Sequence, residues 1–429
     1  MAIEAGTLDS PEAQSAREDA RTWLDANWDP QLTLGEWWRL VADSGWGFPA
    51  WPEDWFGRGL DPQLARVVAE AWNATDAVRP NHGIGTMMAA PAILTHGTEE
   101  QKKRFVAPIV YGEEEWCQLF SEPGAGSDLA GLQTRAERDG DVWRISGQKV
   151  WTSAGQYAKW GFLIARTNPD LPKHKGITYF LIDMRQPGVE VRPLREMAGS
   201  DTFSEVFFDG ATVPDENVVG EIDGGWAVAM TTLSHERQGM GAGAFDESGG
   251  GQVYGEAPLA KVCAEIVGTT HEFPGRRMCY GHGALAMLRE VAEATEKTDD
   301  ALSRQQIANV YSLLEVARYT RLRNQAQKAL GRNPGPAASV GKLASARLAR
   351  TLRETATGLL GAGSMLGGED APLDGIVNQI TLFSPSTSIA GGTDEVQRNI
   401  VGERVLGLPR EPDPSKGAAF KDLKVGTQT

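Results

Sequence analysis

Gln118-Leu-Phe-Ser-Glu-Pro-Gly-Ala-Gly-Ser-Asp-Leu-Ala130 and, one hairpin later, Gly147-Gln-Lys-Val-Trp-Thr-Ser153 decide how this chain is read. Both are loop segments dense in Gly, Ser and backbone donors. Between them, Leu132 to Ser146 carries an Asp139-Gly140 turn flanked by extended runs, the composition of a tight β-hairpin. The hairpin should set the two loops side by side at one end of a small sheet, where a flat polar ligand could lie. A lone Gly-rich loop is more often a plain connection between helix and strand; the pair together points to a site.

Outward from these loops the composition changes twice. From Pro11 to Trp116 the pattern is helical: Trp37, Leu40, Val41 and Ser44 recur at helical spacing, and Pro62 to Trp72 and Ala89 to Phe105 read similarly. Gly45 to Gly59 is instead rich in Trp, Pro and Gly, a loop packed by aromatics. After Cys117 come short β-branched or aromatic runs, Trp160 to Thr167, Thr178 to Met184, Val189 to Leu194 and Glu205 to Asp209, separated by turn signals. Helical rhythm returns after Pro214 and Gly224-Gly225, with Ile307, Val310, Tyr311 and Leu314 in phase and another helix from Ala337 to Leu360. The order predicts an α+β fold: a helical domain over 1–116, an antiparallel, barrel-like β domain over 117–222 and a helical bundle over 223–410. The segment Gly241 to Gly283, with Gly249-Gly-Gly251 and Pro274-Gly275, reads as an insertion or broken helix, and the polar tail 411–429 as frayed.

With 429 residues, 41% hydrophobic and 23% charged, the chain is long enough for two or three globular domains. A formal charge of −15 and the lack of any Lys/Arg-rich run exclude a general nucleic-acid binder. An anionic ligand must then find a local basic patch. Met1 to Asp29 has neither a secretory nor a transit pattern, and no apolar run approaches the ~18 residues a membrane helix needs. Cys117, Cys263 and Cys279 form no disulfide framework, which fits a reducing cytoplasm. Six scattered histidines give no metal-ligand spacing, so no metal is expected.

The paired loops resemble those of the acyl-CoA dehydrogenase flavoproteins, and the resemblance runs from about Gly35 to Arg410. It implies a middle β domain and a C-terminal four-helix bundle with FAD between them. Phe120 and Ser121 would lie along the isoalloxazine ring, Trp151 would stack near it, Ser153 would donate toward N5, and Thr152 would join them as a cofactor residue. Donors near N1/C2 and N5 stabilise reduced flavin. Ser127 would contact the pantetheine arm of an acyl-CoA thioester, or serve only as an N-cap-like turn residue.

The family's usual catalytic glutamate, in a Tyr-Glu-Gly-Thr motif, is missing, because the matching segment reads Ala390-Gly391-Gly392-Thr393. A second position, used by a minority that includes isovaleryl-CoA dehydrogenase, is Glu236 in Ser234-His-Glu-Arg237. Glu236 is therefore the expected base; the resemblance implies that Gly391 supplies a backbone N–H to the enolate-like oxygen, and Arg237 would steady the site or coenzyme A, or form only a helix salt bridge. Thr393 and Glu395 match positions that hold adenosine or ribose. The family's Arg-x-x-Phe-Gly segment has no counterpart near Glu296 to Ser303, and its Gln-x-x-Gly-Gly segment is altered to Gly358-Leu-Leu-Gly-Ala362. A homo- or hetero-oligomer is expected, with α,β-dehydrogenation of the thioester and electrons passed to an electron-transfer flavoprotein. A flavoprotein oxidase, or a half-site structural subunit of a mixed tetramer, are the alternatives.

Overall fold

The computed structural model describes residues 10–199, 201–241, 258–267, 283–329, 335–413 and 416–424. It divides into two compact units, one comprising 2–236, 250–269 and 413–429, the other chiefly 237–249 and 270–412.

In the first unit, five helices precede the sheet: α1 (Pro11–Asn27), α2 (Leu34–Ser44), α3 (Pro62–Asn73), α4 (Ala90–His96) and α5 (Glu99–Val110). Ser10 caps α1, with Pro11 at its first position. Thr33 and Glu36 form a capping box on α2, and Gly45, at φ +74°, ends it. The run Ala89 to Phe105, which reads as one helix, is two: Gly97 is extended, and Thr98 with Gln101 caps a new start. On α2 the spacing put Leu40 inside; instead Leu40 is exposed and Trp38 buried, its indole N–H donating to the Arg79 carbonyl at 2.9 Å.

The sheet comprises β1 (Trp116–Leu119), β2 (Arg135–Asp139), β3 (Val142–Ser153), β4 (Trp160–Arg166), β5 (Ile177–Asp183), β6 (Val189–Leu194), β7 (Phe203–Pro214) and β8 (Val218–Val219), in the order β6-β7-β3-β2-β4-β5-β8. Pairing is antiparallel except that β1 and β2 both meet β4 in parallel. The hairpin forms as its turn signal predicts, with Asp139 opposite Val142. β4 is buried on both faces, and so is β5 up to Asp183. Phe162, Ile164, Tyr179 and Leu181 share a core with Ile93, Phe105 and Ile109 of the helices, whereas Leu163, Ala165, Phe180 and Ile182 pack with β3 and β7. The expected boundary at 116/117 thus crosses one shared core. A sixth helix, α6 (Gly225–Gly241), follows, and its Val228 and Ala229 join that core.

Two outlying stretches also belong to this unit. Of the supposed insertion, 258–267 docks on the entry to α2: Leu34 N–H donates to Lys261, and Cys263 N–H to Leu32, each at 2.8 Å, with Cys263 and Ile266 buried. Gly249-Gly-Gly251 and Pro274-Gly275 lie outside the described residues. The tail, expected to fray, is instead anchored at Phe420, which is buried beside the 169–172 turn.

In the second unit the helices Gly283–Ala294, Ala301–Ala329, Ser339–Leu360 and Ile376–Phe383 share one apolar core that includes Met287, Leu314, Leu352 and Ile380. The division between the two compact units falls inside α6, after Glu236. Among the described residues no helix is long and apolar enough to cross a membrane.

Candidate active site

The two Gly/Ser-rich loops, 118–130 and 147–153, meet through one buried ion pair. Lys149 Nζ donates to the Phe120 carbonyl at 2.9 Å and to Glu122 Oε1 at 2.8 Å. The Val150 N–H donates to the Ser121 carbonyl at 2.9 Å. Glu122 also accepts the N–H groups of Gln133 and Thr134, at 2.7 and 2.9 Å. The side chains of Lys149 and Glu122 are 0% and 8% exposed, so the carboxylate is paired and hydrogen-bonded as a buried charge must be. Burial works to raise the Glu122 carboxyl, but Lys149 and the donors at Thr134 and Gln133 outweigh it and hold it below its ordinary value. Burial is also the main influence on Lys149, and it lowers the ammonium. Neither residue was singled out from sequence; the available signal was an acid in the first quoted loop and a lysine in the second, charges of opposite sign in segments that the hairpin brings side by side.

Just beyond Lys149 the strand breaks. The register between β3 and β7 shifts between Lys149 and Thr152, a bulge, and Trp151 takes φ +61°. That left-handed backbone costs a bulky residue roughly 1–2 kcal/mol. It turns the indole outward, 61% exposed, edge-on to Phe203 at 5.9 Å. Trp151 is therefore not a core residue. Next to it Thr152 is fully buried, and its hydroxyl has no hydrogen-bond partner among the described residues. Ser153 is half-buried at the strand end. An exposed aromatic face on a strained bulge, an orphaned hydroxyl and a serine form a set that fits a planar flavin with hydrogen-bonding edges.

The other sequence candidates in this unit fall unevenly. The side chain of Phe120 points into the core, edge-on to Phe162 and Tyr179 at 5.7 and 6.1 Å. Its carbonyl is taken by Lys149, and the neighbouring Ser121 is half-buried. Ser127 is exposed, and Asp128 rather than Ser127 takes the N-cap position of the short turn Leu129–Gly131. Asp128 pairs with Lys173 at 2.6 Å.

Glu236 sits on α6, half-buried, and its Oε2 accepts a hydrogen bond from Gln118 Nε2 at 3.3 Å. Gln118 is the first residue of the quoted stretch and stands opposite Phe162 in the parallel pairing of β1 with β4. α6 is fixed against the same elements: Thr232 meets the Tyr179 hydroxyl at 3.2 Å, and Thr231 meets His96 Nε2 at 2.8 Å. A carboxylate 118 residues away in sequence thus reaches the motif strand. Of Arg237 only its place in α6 is described.

The remaining candidates lie in the helical unit. Gly391 and Gly392 have φ +64° and +88°, a turn that glycine adopts without strain. The Gly391 carbonyl accepts from Gln397 Nε2 at 3.0 Å. Thr393 caps the helix Asp394–Ile400 by accepting the Val396 N–H at 3.2 Å. Glu395 is exposed and pairs with Arg398. Between them Asp394, missed in the sequence, is buried and meets Arg350 at 2.8 Å and Lys342 at 3.3 Å; Arg350 also donates to Ser388.

Family models for the N-terminal, middle and C-terminal domains of acyl-CoA dehydrogenases match residues 10–113, 117–211 and 276–406. The chain belongs to the acyl-CoA dehydrogenase family, a class of oxidoreductases. It is 36% identical over 381 residues to the acyl-CoA dehydrogenase IpdE1 of Mycobacterium tuberculosis, covering 87% of this chain and 88% of that one. It is 41% identical over 372 residues to the acyl-CoA dehydrogenase FadE34 of the same organism; the match takes in 86% of this chain but spans only 46% of FadE34. Among solved structures, the Tcur3481-Tcur3483 steroid ACAD superposes with TM-score 0.69 at 26% identity, over 95% of this chain and 100% of that one.

Proposed function

We propose that this chain introduces a trans double bond between Cα and Cβ of a coenzyme A thioester, with FAD as cofactor and an electron-transfer flavoprotein as electron acceptor. The observation that carries the reading is the carboxylate of Glu236, hydrogen-bonded to Gln118 of the motif strand. Glu236 removes the α-proton. Bound FAD supplies the hydride acceptor for the β-hydrogen. Ser121, Thr152 and Ser153 offer hydrogen bonds to the ring, with Trp151 at its face. Ser127 holds the pantetheine arm, and the Gly391 N–H meets the thioester oxygen as charge develops there. Thr393 and Glu395 serve the dinucleotide end, and Arg237 steadies the site or coenzyme A. A reducing cytoplasm suits the free, buried Cys117 and Cys263.

A bulky acyl group, such as a steroid side-chain thioester, is the favoured substrate. Ala390 and Gly391 take the place of two large side chains, and empty apolar volume costs about 24 cal/mol per Å³ unless filled. The steroid activity named for the similar Tcur3481-Tcur3483 structure supports this choice. Assembly through the helical unit is supported by Tyr311, Val316 and Tyr319 on the helix Ala301–Ala329, all more than half exposed.

The test is a visible spectrum of the purified chain, alone and co-expressed with a candidate partner, followed by anaerobic addition of thioesters. We expect flavin that bleaches, and a Glu236→Gln variant that binds flavin yet reduces it at least ~100-fold more slowly. No flavin in either preparation defeats the reading, and flavin only with a partner favours the half-site subunit. Oxygen consumption without another acceptor favours the oxidase. A kcat/KM preference for butyryl-CoA over sterol-derived thioesters defeats the wide pocket.

A further inference from the structure

We propose that the C-terminal segment 416–424 is a latch that orders the thioester side of the active site, with Phe420 and Arg166 as its positioning residues. The inference rests on the reading of Ser127 as a pantetheine contact. Phe420 is buried and lies 3.7 Å from the Arg166 guanidinium, face to cation. Its N–H donates to Leu171 at 2.9 Å, Lys421 N–H donates to Pro169 at 3.0 Å, and Ala419 bridges Pro172. Lys421 also pairs with Asp170 at 2.7 Å. The segment therefore grips the β4–β5 connection from outside.

Arg166 carries that grip inward. Its guanidinium donates to the carbonyls of Lys173 and Lys175, at 3.0 and 2.8 Å, and to that of Ala130, the last residue of the quoted stretch, at 2.7 Å. Its Nε has no hydrogen-bond partner among the described residues; the face of Phe420 and three carbonyls hold the guanidinium directly, while the carboxylates of Glu122 and Asp223 favour its charge from farther off. Lys173, fixed at its carbonyl by Arg166, reaches Asp128 beside Ser127. Tail, arginine, connection and motif loop form one continuous chain of contacts. A cation–π contact at a desolvated site is the kind of link whose loss loosens everything it holds.

The experiment compares coenzyme A binding, acyl-CoA turnover and amide exchange of residues 169–175 in wild type, Phe420→Ala, Phe420→Leu and Phe420→Tyr. We expect Phe420→Ala and Phe420→Leu to weaken coenzyme A binding and raise KM by about tenfold, the equivalent of losing one buried cation–π contact, with kcat and flavin content unchanged. Amide exchange over 169–175 should speed up in the same two variants. Phe420→Tyr, which keeps the ring face, should behave as wild type. Lower melting temperatures with unchanged coenzyme A affinity would overturn the latch and leave a purely structural clasp. Loss of flavin in step with affinity would also overturn it, by moving the effect off the thioester side. Coenzyme A bound without any thioester bleaching the flavin would count against the dehydrogenase reading instead, and the affinity ratio would still decide the latch. A wild type that binds no coenzyme A overturns both.

Discussion

Among the described residues each unit buries one carboxylate against cations, and the two are held differently. In the sheet unit Glu122 is ion-paired with Lys149, a cation that water does not reach, and accepts two backbone N–H groups, with the buried Arg166 acting on it from farther off. In the helical unit Asp394 has two cations, Lys342 and Arg350, whose side chains remain 21% and 35% exposed. The difference is one of solvent. A cation still touched by water has part of its charge screened and can relax when its partner is lost. A cation sealed in the core cannot, so the Glu122–Lys149 pair fixes geometry: it sets where β3 meets the motif loop, directly before the strained Trp151.

This contrast predicts the largest effect at Lys149. Lys149→Met leaves the Glu122 carboxylate buried without its cation and should cost about 3–5 kcal/mol of stability, read by chemical denaturation. Asp394→Asn, which leaves two water-accessible cations, should cost about 2 kcal/mol. Equal losses at the two sites would break the comparison. The double variant Glu122→Gln/Lys149→Met should recover much of the loss, since no unpaired charge then remains.

Acid sharpens the comparison further. The Glu122 carboxyl is held below its ordinary 4.5, so the folded state binds its proton less readily than the unfolded chain. The stability it contributes is full above that ordinary value and drains away as pH falls through the depressed one. Wild type should therefore lose stability below about pH 4.5 more steeply than the double variant, in which the group no longer titrates. Parallel acid profiles would mean that Lys149 does not hold the proton off.

How much of this could be read beforehand follows from the range of the interactions. The hairpin, the loops beside it and the helix caps depend on neighbours a few residues apart, and Asp139-Gly140, Thr33 with Glu36 and the run Trp160 to Thr167 signal them directly. Glu236 was reached only through a motif's absence at Gly391, because nothing local to Ser234-His-Glu-Arg237 shows that Gln118 faces it. Lys149 and Glu122 are 27 residues apart, and Asp394 stands 44 and 52 residues from its cations, separations at which spacing carries no signal. Leu40 misled because periodicity marks an apolar stripe but not its centre, and Trp38 has a carbonyl acceptor that draws it inward. The tail misled because its polarity outweighed a single phenylalanine that had an arginine to cover.

The smallest expected effect comes from a third carboxylate, one that no cation offsets among the described residues. Glu115 is half-buried just before β1, and burial pushes its carboxyl up to about 7. Here the sign is opposite to that of Glu122. A folded-state value above the unfolded one means that the native protein holds the proton more tightly, so stability is fully present below about pH 4.5 and falls as pH rises toward 7. Above that, the native state carries an ill-solvated charge. Glu115→Gln removes the charge while keeping the shape, and it should leave stability unchanged at pH 4 and raise it at pH 8. Because water reaches part of the group, we expect a gain of about 1 kcal/mol rather than the full equivalent of the shift. Denaturation midpoints at the two pH values measure it. A variant less stable at pH 8 would mean that the Glu115 carboxylate is paired after all, and that the sheet unit holds two stabilised carboxylates instead of one.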